Sequence, residues 1–465
     1  MNLKRMGSAL LMALVLLVPI VASAPAMADG GWTIQTVDST VNLGLGYFPS
    51  LALDSSGNPH ISYWDTTNYD LKYASWNGTA WSIQTVDGAG NVGFDSSLAL
   101  DSSGNPRISY YDYDNDALKY ASWSGTAWKI ETVDSTGDVG SNSSLALDSF
   151  GNPHISYYEY TNDDLKYASW SGTAWSIQTV HSAGEISHGS SSLALDSSGN
   201  PHISYKNWTD DDKEYLKYAS WNGTAWDIET VERTGELSGG LSLALDSSGN
   251  PHISYDDGTN NYLKYASWSG TSWKIETVDS GGDVGYGPSS LALDSSGNPH
   301  ISYSVANNHN LNYASWNGTA WSIQTVDSAG DVGSDSSLAL DSSSKPHISY
   351  SDVTNDALKY AYSSKPLPPS SQWRSTFYFA EGYTGTNFQE YACLENPNAS
   401  VADTWITCMF NDGTTMSKYY SLAPSSRLTV DINQLAGAGR EVSLRIVSTS
   451  AGIVAERPMY FNYNG

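Results

Sequence analysis

The chain has 465 residues, with 49 acidic against 22 basic side chains and a formal net charge of −27. That balance excludes nucleic acid and anionic lipid surfaces as partners, since both are held by basic patches. Only two cysteines occur, both near the C-terminus, so most of the chain must fold without disulfides.

At the N-terminus, Lys4 and Arg5 precede a mostly apolar run from Ala9 to Ala24, and Ala26-Met27-Ala28 fits the small-x-small cleavage rule. Residues 1–28 therefore read as a secretory signal peptide, cut before Asp29. The expectation is a secreted or cell-surface protein with no membrane insertion after cleavage, made more acidic by two charges once Lys4 and Arg5 leave.

Internal repetition governs residues 29–362. "SLALD" recurs with its first leucine at Leu51, Leu98, Leu145, Leu193, Leu243, Leu291 and Leu338, seven copies spaced by 47 to 50 residues. Each copy runs SLALD, a turn such as "SSGN", "PHISY", a variable polar stretch, "LKYASW", a "GTA" turn and "WSIQTV". These short apolar runs, rich in Tyr, Trp, Ile and Val and bounded by turn residues, predict four antiparallel strands per copy, here a, b, c and d. Four strands at this spacing predict a blade of a β-propeller.

The seventh copy stops after "LKYAYSSK" and lacks strand d, whereas "WTIQTV" at Trp32–Val37 has no copy of its own. Pairing of residues 32–37 beside Leu358 to Tyr362 would complete a seventh blade, with Tyr362 opposite Trp32, and would remove two exposed strand edges. The layout resembles the seven-bladed propellers of WD, NHL and sialidase-type repeats. The resemblance implies architecture and no activity, because the scaffold serves many functions.

The repeated residues are expected to serve folding. In "LDSSGNP" the Asp caps a turn, Gly and Asn accept positive φ, and Pro starts strand b; the seventh copy carries Ser344 and Lys345 instead, which predicts a strained turn. Trp76 and Trp81 predict a cross-strand aromatic pair. His60, His154, His202, His252, His300 and His347 share one strand-b position, held by Arg107 in the second copy. One position per blade is too widely spaced for a common metal ion, so these are expected to be hydrogen-bonded structural groups. His181, His188 and His309 are assigned to loops.

Ligand recognition is expected where the copies differ. In such a meander the a–b and c–d turns share one face, and the b–c hairpins and d–a crossovers share the other. The b–c stretches "WDTTNYD", "YDYDND", "YEYTNDD" and "KNWTDDDKEY" supply Trp64, Tyr111, Tyr113, Tyr158, Tyr160 and Trp208, while copies five to seven lack aromatics at the start of this loop. Aromatic faces beside Asp and Asn suit sugar rings, and loop packing is the competing reading. Asp112, Asp114 and Asp116 imitate the start of an EF-hand loop, but Ala117 and Trp123 stand where Gly and Glu are needed, leaving a weak calcium candidate.

Within the repeats Arg107 and Arg233 occupy non-equivalent places, which argues against a sialidase. No nucleophile, base and orienter set is visible. The reading is therefore a non-catalytic binding protein for carbohydrate or an extracellular protein. A structural or adhesive envelope role, and a carboxylate-based glycan-active enzyme, stay open.

Residues 363–372, "SSKPLPPSSQ", read as a Pro and Ser linker. Residues 373–465 contain seven short apolar segments that predict a β-sandwich, with an Asn-Asp-Gly turn at Asn411 to Gly413. Cys393 and Cys408 fall on consecutive predicted strands and form a disulfide candidate. "YFAEG" at Tyr378, "CLENP" at Cys393 and "AERPMYF" at Ala455 resemble an uncharacterised sandwich module of exported bacterial proteins. That resemblance implies an extracellular setting, with Glu381, Glu456 and Arg457 as ion-pair or recognition residues. The whole chain is thus expected to be all-β, a seven-bladed β-propeller closed by an N-terminal strand and followed by a β-sandwich.

Overall fold

The computed structural model describes residues 26–28, 32–40, 48–182, 191–209, 213–233, 235–281, 284, 287–316, 318–363, 372–384, 388–411, 415–436 and 439–461. The expected leader and its cleavage site lie almost wholly outside these residues, as do His188, most of the linker and part of the Asn411 to Gly413 turn.

The first six copies each form a four-stranded antiparallel blade in the order a-b-c-d, and the seventh supplies strands a, b and c. In the first, a is Ser50–Leu53, b is Pro59–Asp65, c is Asp70–Trp76 and d is Trp81–Asp87. The second runs through Val92–Leu100, Pro106–Asp112, Ala117–Trp123 and Trp128–Asp134. Strand b is buried on both faces, with Ile61 and Tyr63 fully covered, because blades stack face to face. One core cluster accordingly joins Leu71, Tyr73 and Val86 of the first blade to Leu98, Ile108 and Tyr110 of the second.

Two hydrogen bonds recur between blades. The backbone N–H of the first leucine in each SLALD donates to a serine of the preceding strand a: Leu98 to Ser50 at 3.0 Å, then Leu145, Leu193, Leu243, Leu291 and Leu338 in turn. Leu51 donates to Ser337 at 3.1 Å, so the series returns to its start. The second bond pins strand b to the preceding strand d: Tyr110 donates to Asp87 at 2.6 Å, Tyr157 to Asp134 at 2.8 Å and Tyr350 to Asp327 at 2.7 Å.

Trp32–Asp38 pairs antiparallel with Ala357–Ser363, Ile34 opposite Ala361. It makes both contacts of a strand d: Asp38 accepts from Tyr63 at 2.7 Å, and Gln35 accepts from the Trp81 indole at 3.1 Å. The register corrects one expectation. Tyr362 faces Thr33, and Ser363 holds the place opposite Trp32, since "LKYAYS" aligns its serine with the tryptophan of "LKYASW". Tyr362 instead stacks on Tyr360 at 5.7 Å. Ala26–Ala28 adds a short fifth strand outside Trp32–Asp38.

In the C-terminal region, Ser375–Tyr383, Glu441–Ser448, Ala402–Phe410 and Thr415–Leu422 form one sheet, in that order. Ser426–Asp431, Phe388–Asn396 and Val454–Glu456 form another, with Met459–Phe461 also on Phe388–Asn396 and a short helix at Ile432–Ala436. Leu394, Ile406, Cys408, Leu444 and Ile446 share one core. The last predicted segment divides at Arg457-Pro458: Arg457 turns inward to Glu390 at 2.5 Å, and Pro458 has no N–H for a ladder. Glu456 is only 3.9 Å from Arg427 at the surface, and the Glu381 side chain is outside the described residues.

The disulfide expectation is corrected as well. Cys393 and Cys408 are both free and buried, on strands of different sheets, and burial pushes the Cys408 thiol up to about 12. Among the described residues no helix is long and apolar enough to cross a membrane.

Candidate functional site

The b–c hairpins owe their shape to an acidic residue at the end of strand b. Asp65 accepts from the Thr67 N–H at 3.0 Å and the Asn68 amide at 2.9 Å, and Lys72 lies 2.6 Å away. Asp112 with Asn115 and Lys119, Asp257 with Asn260 and Lys264, and Asp352 with Asn355 and Lys359 repeat the set. In the sixth copy Val305 replaces the acid and Asn312 the lysine, so both partners are lost together. These carboxylates are buried, already bonded and unavailable to a ligand.

Similar bonds occupy the three acids of the calcium candidate. Asp112 is held by Asn115 and Lys119, Asp114 accepts from the Asn91 N–H at 2.9 Å, and Asp116 accepts from the Tyr111 hydroxyl at 3.2 Å. Each is bound to a different partner, and no group of three metal-ligating side chains occurs among the described residues.

Four of the six predicted aromatics converge. Trp64, Tyr111, Tyr113 and Tyr160, with Phe94, Asn91, Asp138 and Ser141, line a cavity of about 510 Å³ across the first three blades. It opens among the b–c hairpins and d–a crossovers, the variable face. The rings meet nearly at right angles: Trp64 and Phe94 are 5.1 Å apart at 81°, and Tyr111 and Tyr113 are 6.0 Å apart at 81°. Edge-to-face pairs make corners, so each presents two walls.

Local backbone bonds place the lining. The Tyr113 N–H donates to the Asn91 carbonyl at 3.0 Å, and the Tyr160 N–H to the Asp138 carbonyl at 2.8 Å. Asp138 is held further by its own N–H, which donates to Thr161 Oγ1 at 2.9 Å, and by the Tyr111 hydroxyl, which donates to Oδ1 at 2.7 Å. Burial, then the bond to Asp138, raises the Tyr111 phenol far above its ordinary range, so it stays a donor at any physiological pH. Gly93 lets the crossover lie against the first blade, since a Cβ there would be 2.7 Å from the Leu71 backbone.

The other two aromatics fall elsewhere. Tyr158 is buried in a core cluster with Leu165, Leu193 and Tyr205 and hydrogen-bonded to Asp163. Trp208 is 39% exposed on Pro201–Thr209 and does not line the cavity. The strand position of Trp64, Tyr111 and Tyr158 is filled by Lys206, Asp256, Ser304 and Ser351 in the remaining blades, so the aromatic character ends after the third. Asn91, Phe94, Asp138 and Ser141 were not predicted. They stand at two equivalent positions of consecutive crossovers, and comparing the crossovers as closely as the hairpins would have exposed them.

The opposite face is built for stability. Each strand-b histidine bonds the tyrosine of strand c through Nδ1, as His154 does with Tyr167, and lies 3.7 to 3.9 Å from the turn aspartate. Arg107 reaches Asp101 at 2.8 Å in the same role. The tryptophan pair also forms as expected, Trp76 to Trp81 at 5.4 Å, and Ser344 adopts φ 59 in its turn. His309 lies in a b–c turn as expected, whereas His181 ends strand Trp175–His181 and is not in a loop. A smaller cavity of about 200 Å³ on this side is lined by Tyr167, Gln178 and Asn200 among others. Each of those three is already bonded, to His154, Trp226 and Asp196 respectively.

No family model matches the chain, and no curated protein matches it. Among solved structures it is similar to AofleA from Arthrobotrys oligospora, at 16% identity over 65% of this chain and 92% of that one, with a TM-score of 0.47. It is similar to an ulvan lyase from a new polysaccharide lyase family, at 14% identity over 68% of this chain and 94% of that one, with a TM-score of 0.47. It is also similar to the six-bladed propeller of Aleuria aurantia lectin, a fungal fucose-recognising lectin, at 14% identity over 61% of this chain and 98% of that one, with a TM-score of 0.43. At these identities no residue role passes from those proteins to this one.

Proposed function

We propose that the chain is an exported, non-catalytic glycan-binding protein. In this reading seven blades form a propeller closed by the N-terminal strand, and the C-terminal region is a β-sandwich that spaces or attaches it. The observation that carries the proposal is the cavity of about 510 Å³ on the variable face, walled by five aromatic rings and edged by Asn91, Asp138 and Ser141. Aromatic faces stack on the C–H surfaces of a pyranose, and the polar rim serves its hydroxyls. A cavity of this size accommodates a short oligosaccharide. Among the described residues its lining holds a single carboxylate, Asp138, which favours binding over hydrolysis by a carboxylate pair.

A glycan array probed with the mature protein tests the reading. Trp64→Ala with Tyr113→Ala is expected to abolish specific binding at an unchanged melting temperature, and Trp208→Ala to leave it intact. Binding that survives the double substitution would place the ligand elsewhere. No binding to any glycan would turn the proposal towards a protein partner or a structural role.

A further inference from the structure

We propose that the preferred glycan carries a positive charge, as a sugar with a free, protonated amino group does. This rests on the glycan reading of the same cavity and names the chemistry it selects. Among the described residues, five aromatic rings and one carboxylate line the cavity, with no lysine, arginine or histidine. The lysines nearest in sequence are engaged elsewhere, Lys72 with Asp65 at 2.6 Å and Lys119 with Asp112 at 3.2 Å.

Among the described residues Asp138 is the one acid at the wall, and it is held firmly. Its backbone N–H, its carbonyl and Oδ1 are bonded to Thr161, Tyr160 and Tyr111. No described residue donates to Oδ2. An ammonium placed in the cavity would meet that oxygen as a charge-assisted acceptor and the ring faces as cation–π partners, two interactions that a neutral or acylated amine lacks. A uronate or sulfated sugar would bring a second anion beside Asp138 with no cation to offset it, in a chain of net charge −27.

The test is calorimetric titration of the full chain at about pH 6, where the amine is protonated. The ligands are a glucosamine tetramer, its fully N-acetylated form and a galacturonate tetramer, in salt of about 0.15 M to screen diffuse attraction. The glucosamine tetramer is expected to bind at least about tenfold more tightly than the acetylated one and to weaken by about that factor in Asp138→Asn. Galacturonate is expected not to bind. Equal affinity for the charged and acetylated tetramers would overturn the inference and leave the glycan reading standing. So would binding of other glycans without binding of the glucosamine tetramer. A preference that persists in Asp138→Asn, or in the exposed-ring variant Tyr113→Ala, would also overturn it by exposing attraction to the net charge alone. If no glycan binds at all, both proposals fall.

Discussion

Replacing Trp32 by alanine tests whether the N-terminal strand is an integral part of the fold. Trp32 is 1% exposed and packs with Leu311, Tyr313, Val326 and Ile348, and so reaches the sixth blade from the edge of the seventh. Its ring meets Tyr313 edge-to-face at 5.3 Å, and Nε1 donates to Gln324 at 3.3 Å. Truncating a buried tryptophan costs about 3–5 kcal/mol through lost burial and the cavity left behind. The hydrogen bond accounts for only about 1 kcal/mol of that, so Trp32→Phe should lose far less than alanine. The assay is amide exchange across Ala357–Ser363, whose ladder partner is Trp32–Asp38. Detachment of that strand should speed exchange there by roughly 10²- to 10³-fold while the first three blades stay protected. A loss below about 0.5 kcal/mol, the range of an ordinary surface substitution, would refute the reasoning.

Four further outcomes follow from buried polar groups. Burial holds His60, His154, His202, His252 and His300 below the ordinary histidine range, with their aspartates offsetting part of the effect, so their contribution to stability is lost as pH falls below about 6.5. Burial pushes Asp95 the other way, up to about 7, so the folded state prefers the protonated acid and loses roughly 4 kcal/mol as pH rises from about 4 to about 7; thermal melts of Asp95→Asn should lack that loss. Tyr205 is the strand-b tyrosine whose expected acceptor is replaced, by His181, and its buried hydroxyl has no partner among the described residues. Tyr205→Phe should therefore leave the melting temperature unchanged or raised, whereas Tyr110→Phe should destabilise by about 1–3 kcal/mol. In the C-terminal region, a Cβ at Gly382 would fall 1.7 Å from Arg457 Nη2, so Gly382→Ala should displace the buried Arg457–Glu390 pair, and Arg457→Ala should cost about 3–5 kcal/mol by denaturant titration.

Much of the fold was legible because the repeat states each strand seven times. Short apolar runs between Gly, Asn and Pro turns mark four strands per copy, and the unmatched "WTIQTV" marks its own partner by the strand that copy lacks. The errors came where repetition was missing. Tyr362 was misplaced because the seventh copy exchanges the order of its last two residues, and only a ladder register reveals which one faces Trp32. Cys393 and Cys408 lie on consecutive strands, yet those strands belong to different sheets and both thiols are free.

The site was half legible for a similar reason. Trp64, Tyr111, Tyr113 and Tyr160 stand out against the polar hairpins of later copies. Tyr158 shares a strand position with two of them yet packs with Leu165 and Tyr205 and does not line the cavity, a consequence of packing that its sequence position does not encode. The spacing from Asp65 to Asn68 to Lys72 recurs with the same residue types in other copies and describes an internal clasp, which takes those acids out of the polar surroundings expected beside the aromatics. Asp138 escaped notice because it lies in a crossover, one blade away from the hairpin whose tyrosine it binds.

The most direct test of the account is hydrogen exchange of the protein with and without a saturating glycan identified on the array. Protection confined to residues 63–69, 88–95, 110–117, 137–142 and 158–163, with the "GTA" and "DSSGNP" turns unchanged, is the result predicted by a ligand seated in the aromatic cavity. Protection of those turns, or no change along the variable face at saturation, would contradict it.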